Sequence, residues 1–330
     1  MLATAAAAVL ATVAASPSPP GDRKGALTLV VENDAFGVSA PDKNYTNGVG
    51  FEWVAPQGAE PDWLRRLASL VPRATNDVDA RLEFDAGQKM FTPEDLARTN
   101  PDPTDRPYAG LLYASAGVIA QSGGRTLDQT QFTLGVVGPS SQAGDAQTFV
   151  HRQLRAPRPR GWSAQIPDRV VAAWRVQRTD IFARSITGDA RGLRLEFMPT
   201  AGVSIGNIRT GANIGVGFRL GSRMPVDFGP PRIAPSLPGS GYFSPRAKAG
   251  WYMFGGLDAR YTAYDITLDE RGANGAKVKR EPFGGDIQAG LAGYVGDVRL
   301  SYTQVWRTRE FREQKDGVSN FGAFSLTIRL

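Results

Sequence analysis

An all-β fold, a twelve-stranded antiparallel transmembrane β-barrel with an extracellular loop helix, is the architecture this sequence predicts. Three observations predict it. Short segments that alternate apolar and polar residues recur along the chain, separated by Gly, Pro, Asp and Asn, and reading them with period two gives about a dozen strands. Beyond residue 15 no apolar run approaches the roughly 18 residues that a membrane helix needs, and 38 Gly and 23 Pro work against long helices. On many strands one face carries acids, bases and glycines and the other is apolar and aromatic, the pattern of a polar lumen and a lipid face. Such strands also suit a soluble sandwich or barrel that binds a ligand. No repeat of fixed length appears, which argues against a propeller or solenoid.

The chain starts with an apolar stretch, LATAAAAVLATVAA (2–15), followed by SPSPPGD. It reads as a secretory signal cut near Ala15, although without a positively charged leader, and residues 16–25 read as a disordered segment before a single domain over 26–330. There is no Cys, so disulfides and thiolate metal sites are excluded. The net charge of +6 favours anionic surfaces. Lys and Arg are scattered among acids rather than clustered with aromatics, which disfavours nucleic acid and leaves a membrane rich in phosphorylated lipid as the natural counterpart.

The first strand covers Ala26–Asp34 and the second Thr46–Val54, where Val49, Phe51 and Trp53 share one face. The third, Arg81–Met90, sets Leu82, Phe84 and Ala86 against Glu83, Asp85, Gly87 and Lys89. Leu111–Ala120, Thr130–Val137, Val170–Ala183, Leu193–Ile205, Ala212–Leu220, Trp251–Tyr264, Asp286–Val295 and Val298–Arg309 follow. Asn320–Leu330 closes the series, with Phe324, Leu326, Ile328 and Leu330 alternating against Ser325, Thr327 and Arg329. In an up-and-down barrel alternate connections lie at opposite ends. Those after strands one, three and five are rich (32–48, 91–110 and the segment from Gly138), and they gather at the outer rim. The link at 122–129 is short, as inner turns are, whereas PDWLRRLASLV (61–71) reads as a short amphipathic helix at the inner end.

His151 is the only histidine, four residues after Gln147 in GPSSQAGDAQTFVHRQL (138–154). Its imidazole is the one side chain whose ordinary pKa suits proton transfer near neutrality. Side-chain parity turns Asp34, Thr46 and Lys89 toward the lumen near one mouth, while Asn33 has the opposite parity and joins them only through its backbone or at a bulge. A serine-hydrolase elbow, a P-loop and a dinucleotide fingerprint are all missing, and one His cannot build a zinc site. Asp34, Asn33 and loop carbonyls are hard oxygen donors suited to calcium; an Asx-turn without metal explains the same residues equally well.

The motifs ENDAFG (32–37), DKNYTNG (42–48), GQKMFTP (87–93), DRPYAG (105–110), GPSS…QTFVH (138–151), VDFGPPR (226–232) and VWRTREF (305–311) span most of the chain. In this order the chain resembles the outer-membrane lipid A 3′-O-deacylases. The resemblance implies a bacterial outer-membrane barrel that removes the 3′-linked acyloxyacyl group of lipid A in a calcium-dependent reaction. It also implies that Asn33, Asp34, Thr46, Lys89 and His151, with Gln147 beside them, match the family's active-site positions. The terminal Leu330 departs from the usual aromatic end.

The expected mechanism has His151 as general base on water, calcium near Asp34 polarising the ester carbonyl, Lys89 stabilising the oxyanion and Gln147 orienting the imidazole or the water. Asn33 and Thr46 position metal or substrate. Phe149, Val150 and Leu154 touch acyl chains in a groove beside a loop helix spanning Gly144–Leu154. Ser140 or Ser141 as nucleophile is the rival mechanism, with a helix N-cap as their more ordinary role. The expected partners are lipopolysaccharide and the outer membrane, and the expected state is a monomer. A non-enzymatic barrel, either a channel or a lipopolysaccharide-binding structural protein, is the alternative function.

Overall fold

A computed structural model describes residues 24–37, 44–59, 78–187, 192–230, 232 and 239–330. The strands in chain order are β1 (Ala26–Asn33), β2 (Asn44–Val54), β3 (Val78–Thr92), β4 (Ala109–Ser122), β5 (Thr126–Val137), β6 (Arg169–Asp180), β7 (Phe182–Ser185) and β8 (Leu193–Gly206). They continue with β9 (Arg209–Ser222), β10 (Val226–Asp227), β11 (Phe243–Ser244), β12 (Ala249–Asp265), β13 (Phe283–Val295), β14 (Val298–Thr308) and β15 (Val318–Arg329). All neighbours in the wall are antiparallel, β1 pairs with β15, and β6 and β7 both pair with β8, which closes the cylinder. The expected strand Val170–Ala183 is therefore one wall strand broken at Ile181, and the closed barrel has twelve. The expected signal (1–15), residues 16–23 and the helix at 61–71 lie outside the described residues.

Period-two alternation decides which side chains meet the membrane. Phe324, Leu326 and Ile328 on β15 are exposed, while Ser325, Thr327 and Arg329 are buried. Phe51, Trp53 and Phe84 on β2 and β3 likewise face outward, and Trp53 stacks on Phe84 across the pair at 5.7 Å. No helix among the described residues is long and apolar enough to cross a membrane.

The lumen is held by ion pairs that bridge strands. Arg307 and Arg260 both donate to Asp286, at 2.8 and 2.6 Å, and Arg219 pairs with Glu196. The connection after β9 folds back into the inner end of the barrel, where β10 and β11 form a small hairpin. Its Phe228 and Tyr242 pack with Ala26, Val54, Ile119, Leu127, Ile181 and Met198, and its Asp227 accepts from Arg299 at 2.7 Å and from Tyr252 at 2.8 Å. The VDFGPPR motif thus begins a plug tied to the wall.

Connections after β1, β3, β5, β12 and β14 share the opposite end, which the chain termini leave to the loops. This is the end that carries every residue proposed from the sequence for the chemistry.

A candidate active site between the loop helix and the outer barrel wall

The helix α1 spans Ala143–Leu154. The chain reaches it through Gly138 (φ 106°), a 3₁₀ turn Pro139–Ser141, and Gln142 in the left-handed region. Gln142 is the N-cap and offers no side-chain bond, so neither Ser140 nor Ser141 takes the N-cap position expected for them, although Ser141 Oγ accepts from the Ala143 amide at 3.4 Å. The Ser141 hydroxyl instead donates to the Gly138 carbonyl at 2.6 Å inside the turn, fully buried, a poor state for a nucleophile.

The buried side chains of α1 include Ala143, Gln147 and His151, four residues apart and thus on one stripe. That stripe meets the outside of the barrel, not its lumen. Gln88 and Met90 continue the outward row of the exposed Phe84 and Ala86 along β3, and the helix covers them: Gln88 Nε2 donates to the Ser141 carbonyl at 2.7 Å, and Met90 clusters with Ala143, Tyr108 and Trp162. Gly110, which pairs with Met90, makes the close approach possible, because a Cβ there would overlap Ser141 Oγ and Ala143 Cβ. A Gly110→Val variant is expected to push α1 off the wall and lower activity by about tenfold or more, the scale on which a small misplacement of reacting groups acts, while the barrel keeps its heat-dependent shift on denaturing gels.

The stripe is also polar and oriented. His151 is 8% exposed, and its Nδ1 lies 2.6 Å from the Pro157 carbonyl. A carbonyl only accepts, so Nδ1 carries the hydrogen, and in that tautomer Nε2 is the ring's acceptor. Gln147 accepts the Trp162 indole N–H at 2.7 Å through Oε1, which fixes the amide; Nε2 is buried with no hydrogen-bond partner. Leaving such a donor unsatisfied costs on the order of 1–3 kcal/mol unless something occupies the cleft. Trp162 itself is held against Tyr108, ring centroids 4.9 Å apart.

Across the rim, Asn33 ends β1 on the outer face and its Oδ1 accepts from the Ala35 amide at 2.7 Å, capping the turn Asp34–Phe36. The Asx geometry expected for this segment is present, and within the turn Asp34 is 2% exposed. The turn is seated on β15, where Phe36 packs edge-on against Phe324 at 5.3 Å and its carbonyl accepts from the Tyr302 hydroxyl.

One expectation of parity and one of convergence need correction. Thr46 sits at a bulge, since the register of β2 on β3 shifts between Tyr45 and Asn47. The extra residue turns Tyr45 into the lumen, where it donates to Glu32, and sends Thr46 to the Thr92 hydroxyl at 2.6 Å on the outer-facing row of β3. Lys89 does face the lumen as expected, but the rest of the site does not: it lines an internal cavity of about 250 Å³ with Tyr113, Asp85 and Arg175, its ammonium 5.1 Å from the Tyr113 ring. The wall separates it from the helix stripe. The expected convergence of lysine and imidazole on one mouth is thereby replaced by two faces of one rim.

Phe149 and Val150 are 55% and 43% exposed, Phe149 on the side of α1 away from the wall and Val150 at the flank of the buried stripe, and Arg152 lies over the Phe149 ring at 5.7 Å. Both are open to the surroundings of the barrel rather than packed against the wall. Leu154 ends the helix, and its side chain lies outside the described residues. Trp162, Gln88 and Pro157 were not singled out from the sequence. The parity of Gln88, one residue out of phase with Lys89, is the signal that carried it.

Among the described residues no group of three or more His, Cys, Asp or Glu converges to hold a metal. The oxygens near the turn are one buried carboxylate, Asp34, with the neutral oxygens of Asn33 and Thr46. This all-oxygen set fits a hard divalent cation whose shell is completed by carbonyls and water, and does not fit zinc.

The family model described as Outer membrane protein LpxR matches residues 1–330. The chain belongs to the LpxR outer-membrane protein family. Among solved structures it is similar to LpxR from Salmonella typhimurium, at TM-score 0.75 and 18% identity over 92% of this chain and 99% of that chain, a likeness of fold. The β domain of the Bordetella autotransporter BrkA is similar at TM-score 0.45 and 11% identity over 93% of this chain and 98% of that chain. Comparison with curated proteins returns no match. Membership of the LpxR family places the chain in the bacterial outer membrane and agrees with the closed twelve-stranded barrel.

Proposed function

We propose that this LpxR-family barrel is a lipid A deacylase that hydrolyses the 3′-linked acyloxyacyl ester of lipid A in the outer leaflet. The observation that carries the reading is the polar stripe of α1, with an imidazole in a fixed tautomer and an unpartnered amide donor one turn away, pressed against a membrane-facing wall. A lipid needs no passage into the barrel to reach it.

In this reading His151 Nε2 takes a proton from water as the hydroxide attacks the ester carbonyl carbon. The tetrahedral intermediate collapses by breaking the bond to the 3′ oxygen of the sugar, and His151 returns the proton to that oxygen. Gln147 Nε2 donates to the attacking water or to the carbonyl oxygen, since the Trp162 N–H holds its other end. The Pro157 carbonyl keeps Nδ1 protonated throughout. Asp34, with Asn33 and Thr46, would hold calcium, which supplies positive charge for the carbonyl oxygen when bound. Lys89 has no part in this scheme, because its ammonium lies on the lumen side. The plugged inner end of the barrel speaks against the alternative of an open channel.

Mass spectrometry of lipid A from cells with and without the protein tests the activity; an unchanged acyl pattern with folded protein present refutes it. Chelation of the purified protein is expected to abolish hydrolysis, with calcium restoring it, strontium restoring part and zinc restoring none. Asp34→Asn is expected to raise the calcium needed for half-maximal activity by about tenfold, as loss of the one carboxylate ligand demands.

A further inference from the structure

A second cleft, of about 200 Å³, opens at the same rim between the loop after β3 and the loop between β14 and β15. Asn44, Glu94, Asp102, Thr104, Glu313 and Gln314 are among its lining residues, and in all six carboxylates stand against two cations, Arg98 and Lys315. The surplus of acids disfavours phosphate, and no metal-holding group of acids is found among the described residues. Gln314 is 6% exposed. Its Oε1 accepts from the Glu310 amide at 2.9 Å, which fixes the side chain and leaves Nε2 buried with no hydrogen-bond partner. A buried donor set among carboxylates asks for a group that both accepts and donates. Sugar hydroxyls do so, and neither an anion nor a bare cation does.

The cleft adjoins the rim residues of the candidate active site through Asn44. Asn44 opens β2 and pairs with Thr92, whose hydroxyl bonds Thr46 two residues further along. The lipid cleft lies on the outer wall below the rim and this one at the rim itself, the order in which an ester and a saccharide of one glycolipid are stacked.

We propose that the cleft around Gln314 is a saccharide subsite, which takes a neutral sugar of the lipopolysaccharide whose ester α1 addresses; in naming that substrate the inference rests on the deacylase reading. Glu313 is held by the Lys279 amide at 3.0 Å, and Asp102 by the Thr104 amide and hydroxyl at 2.9 and 2.7 Å. Both carboxylates are thereby preset as acceptors for sugar hydroxyls.

The test uses the full chain in detergent micelles, titrated with the phosphate-free oligosaccharide released from lipopolysaccharide and followed by calorimetry or saturation-transfer NMR. Gln314→Leu is expected to weaken binding by about tenfold, the scale of one lost hydrogen bond at a site built for it. Gln314→Glu keeps the acceptor for the Glu310 amide and replaces the donor by a second carboxylate oxygen, so a loss at least as large is expected from a variant of nearly unchanged shape. His151→Ala is expected to bind as the unaltered protein does. Absent binding, or equal binding by the unaltered protein and Gln314→Glu, overturns the subsite. Binding without any deacylation supports the subsite and overturns only the esterase reading.

Discussion

His151→Ala is expected to lower deacylation by at least about 10²-fold, and by up to about 10⁴-fold, the range a positioned general base contributes. No second histidine exists to take the proton, and the neighbouring Gln147 cannot. The loss should fall on kcat, because the imidazole's work is done on the attacking water rather than on lipid binding. His151→Gln, which keeps a hydrogen bond to the Pro157 carbonyl but accepts no proton at neutral pH, is expected to be as inactive. The measurement is the rate of acyl release by mass spectrometry, with heat-dependent gel migration confirming a folded barrel. A rate within a few-fold of the unaltered protein would remove the imidazole from the chemistry.

The second large effect concerns stability. Asp227 is fully buried and meets Arg219, Arg299 and the Tyr252 hydroxyl where the plug joins the wall. Asp227→Ala leaves two buried guanidinium groups facing a site with no carboxylate. Arg219 keeps Glu196, whereas Arg299 loses its paired carboxylate and keeps neutral partners such as the Ser240 carbonyl and the Thr327 hydroxyl. Removing one partner of a buried ion pair costs about 3–5 kcal/mol, because the remaining charge has been taken out of water without compensation. The expected result is a lower temperature for the unfolded gel band, with hydrolysis at α1 preserved below that temperature, since the plug occupies the opposite end of the barrel. An unchanged melting temperature would mean that the plug contributes nothing to holding the wall.

The architecture was legible in the residues because strand alternation is a local rule. Phe324, Leu326 and Ile328 against Ser325, Thr327 and Arg329 announce both the strand and its lipid face, and β15 realises that split. Counting connections also put the rich loops at one end correctly, as alternate ends follow from antiparallel order alone. The helix suggested for Gly144–Leu154 forms over Ala143–Leu154, with Gln147 and His151 a turn apart on its buried stripe.

What failed depended on single-residue shifts or on contacts between distant segments. Thr46 was counted to the lumen from Glu52, and one bulged residue sent it outward, because period-two counting reverses at every inserted residue. Ile181 breaks one expected strand into two. Nothing in the spacing of Lys89 and His151 tells that the helix docks outside the wall while the lysine points in. The burial of VDFGPPR as a plug was equally hidden, since Phe228 finds its partners on strands up to some two hundred residues away in sequence.

By itself the sequence determined the barrel, its series of antiparallel strands, the end that gathers the rich loops, and the sole imidazole of the chain, because each follows from composition or from local periodicity. Only the tertiary structure decided on which side of the wall that imidazole lies, which residues surround it and what fills the lumen. Those outcomes depend on packing between segments far apart in the chain: a glycine that lets a helix approach, a bulge that turns one threonine, and buried charges that choose partners across the barrel.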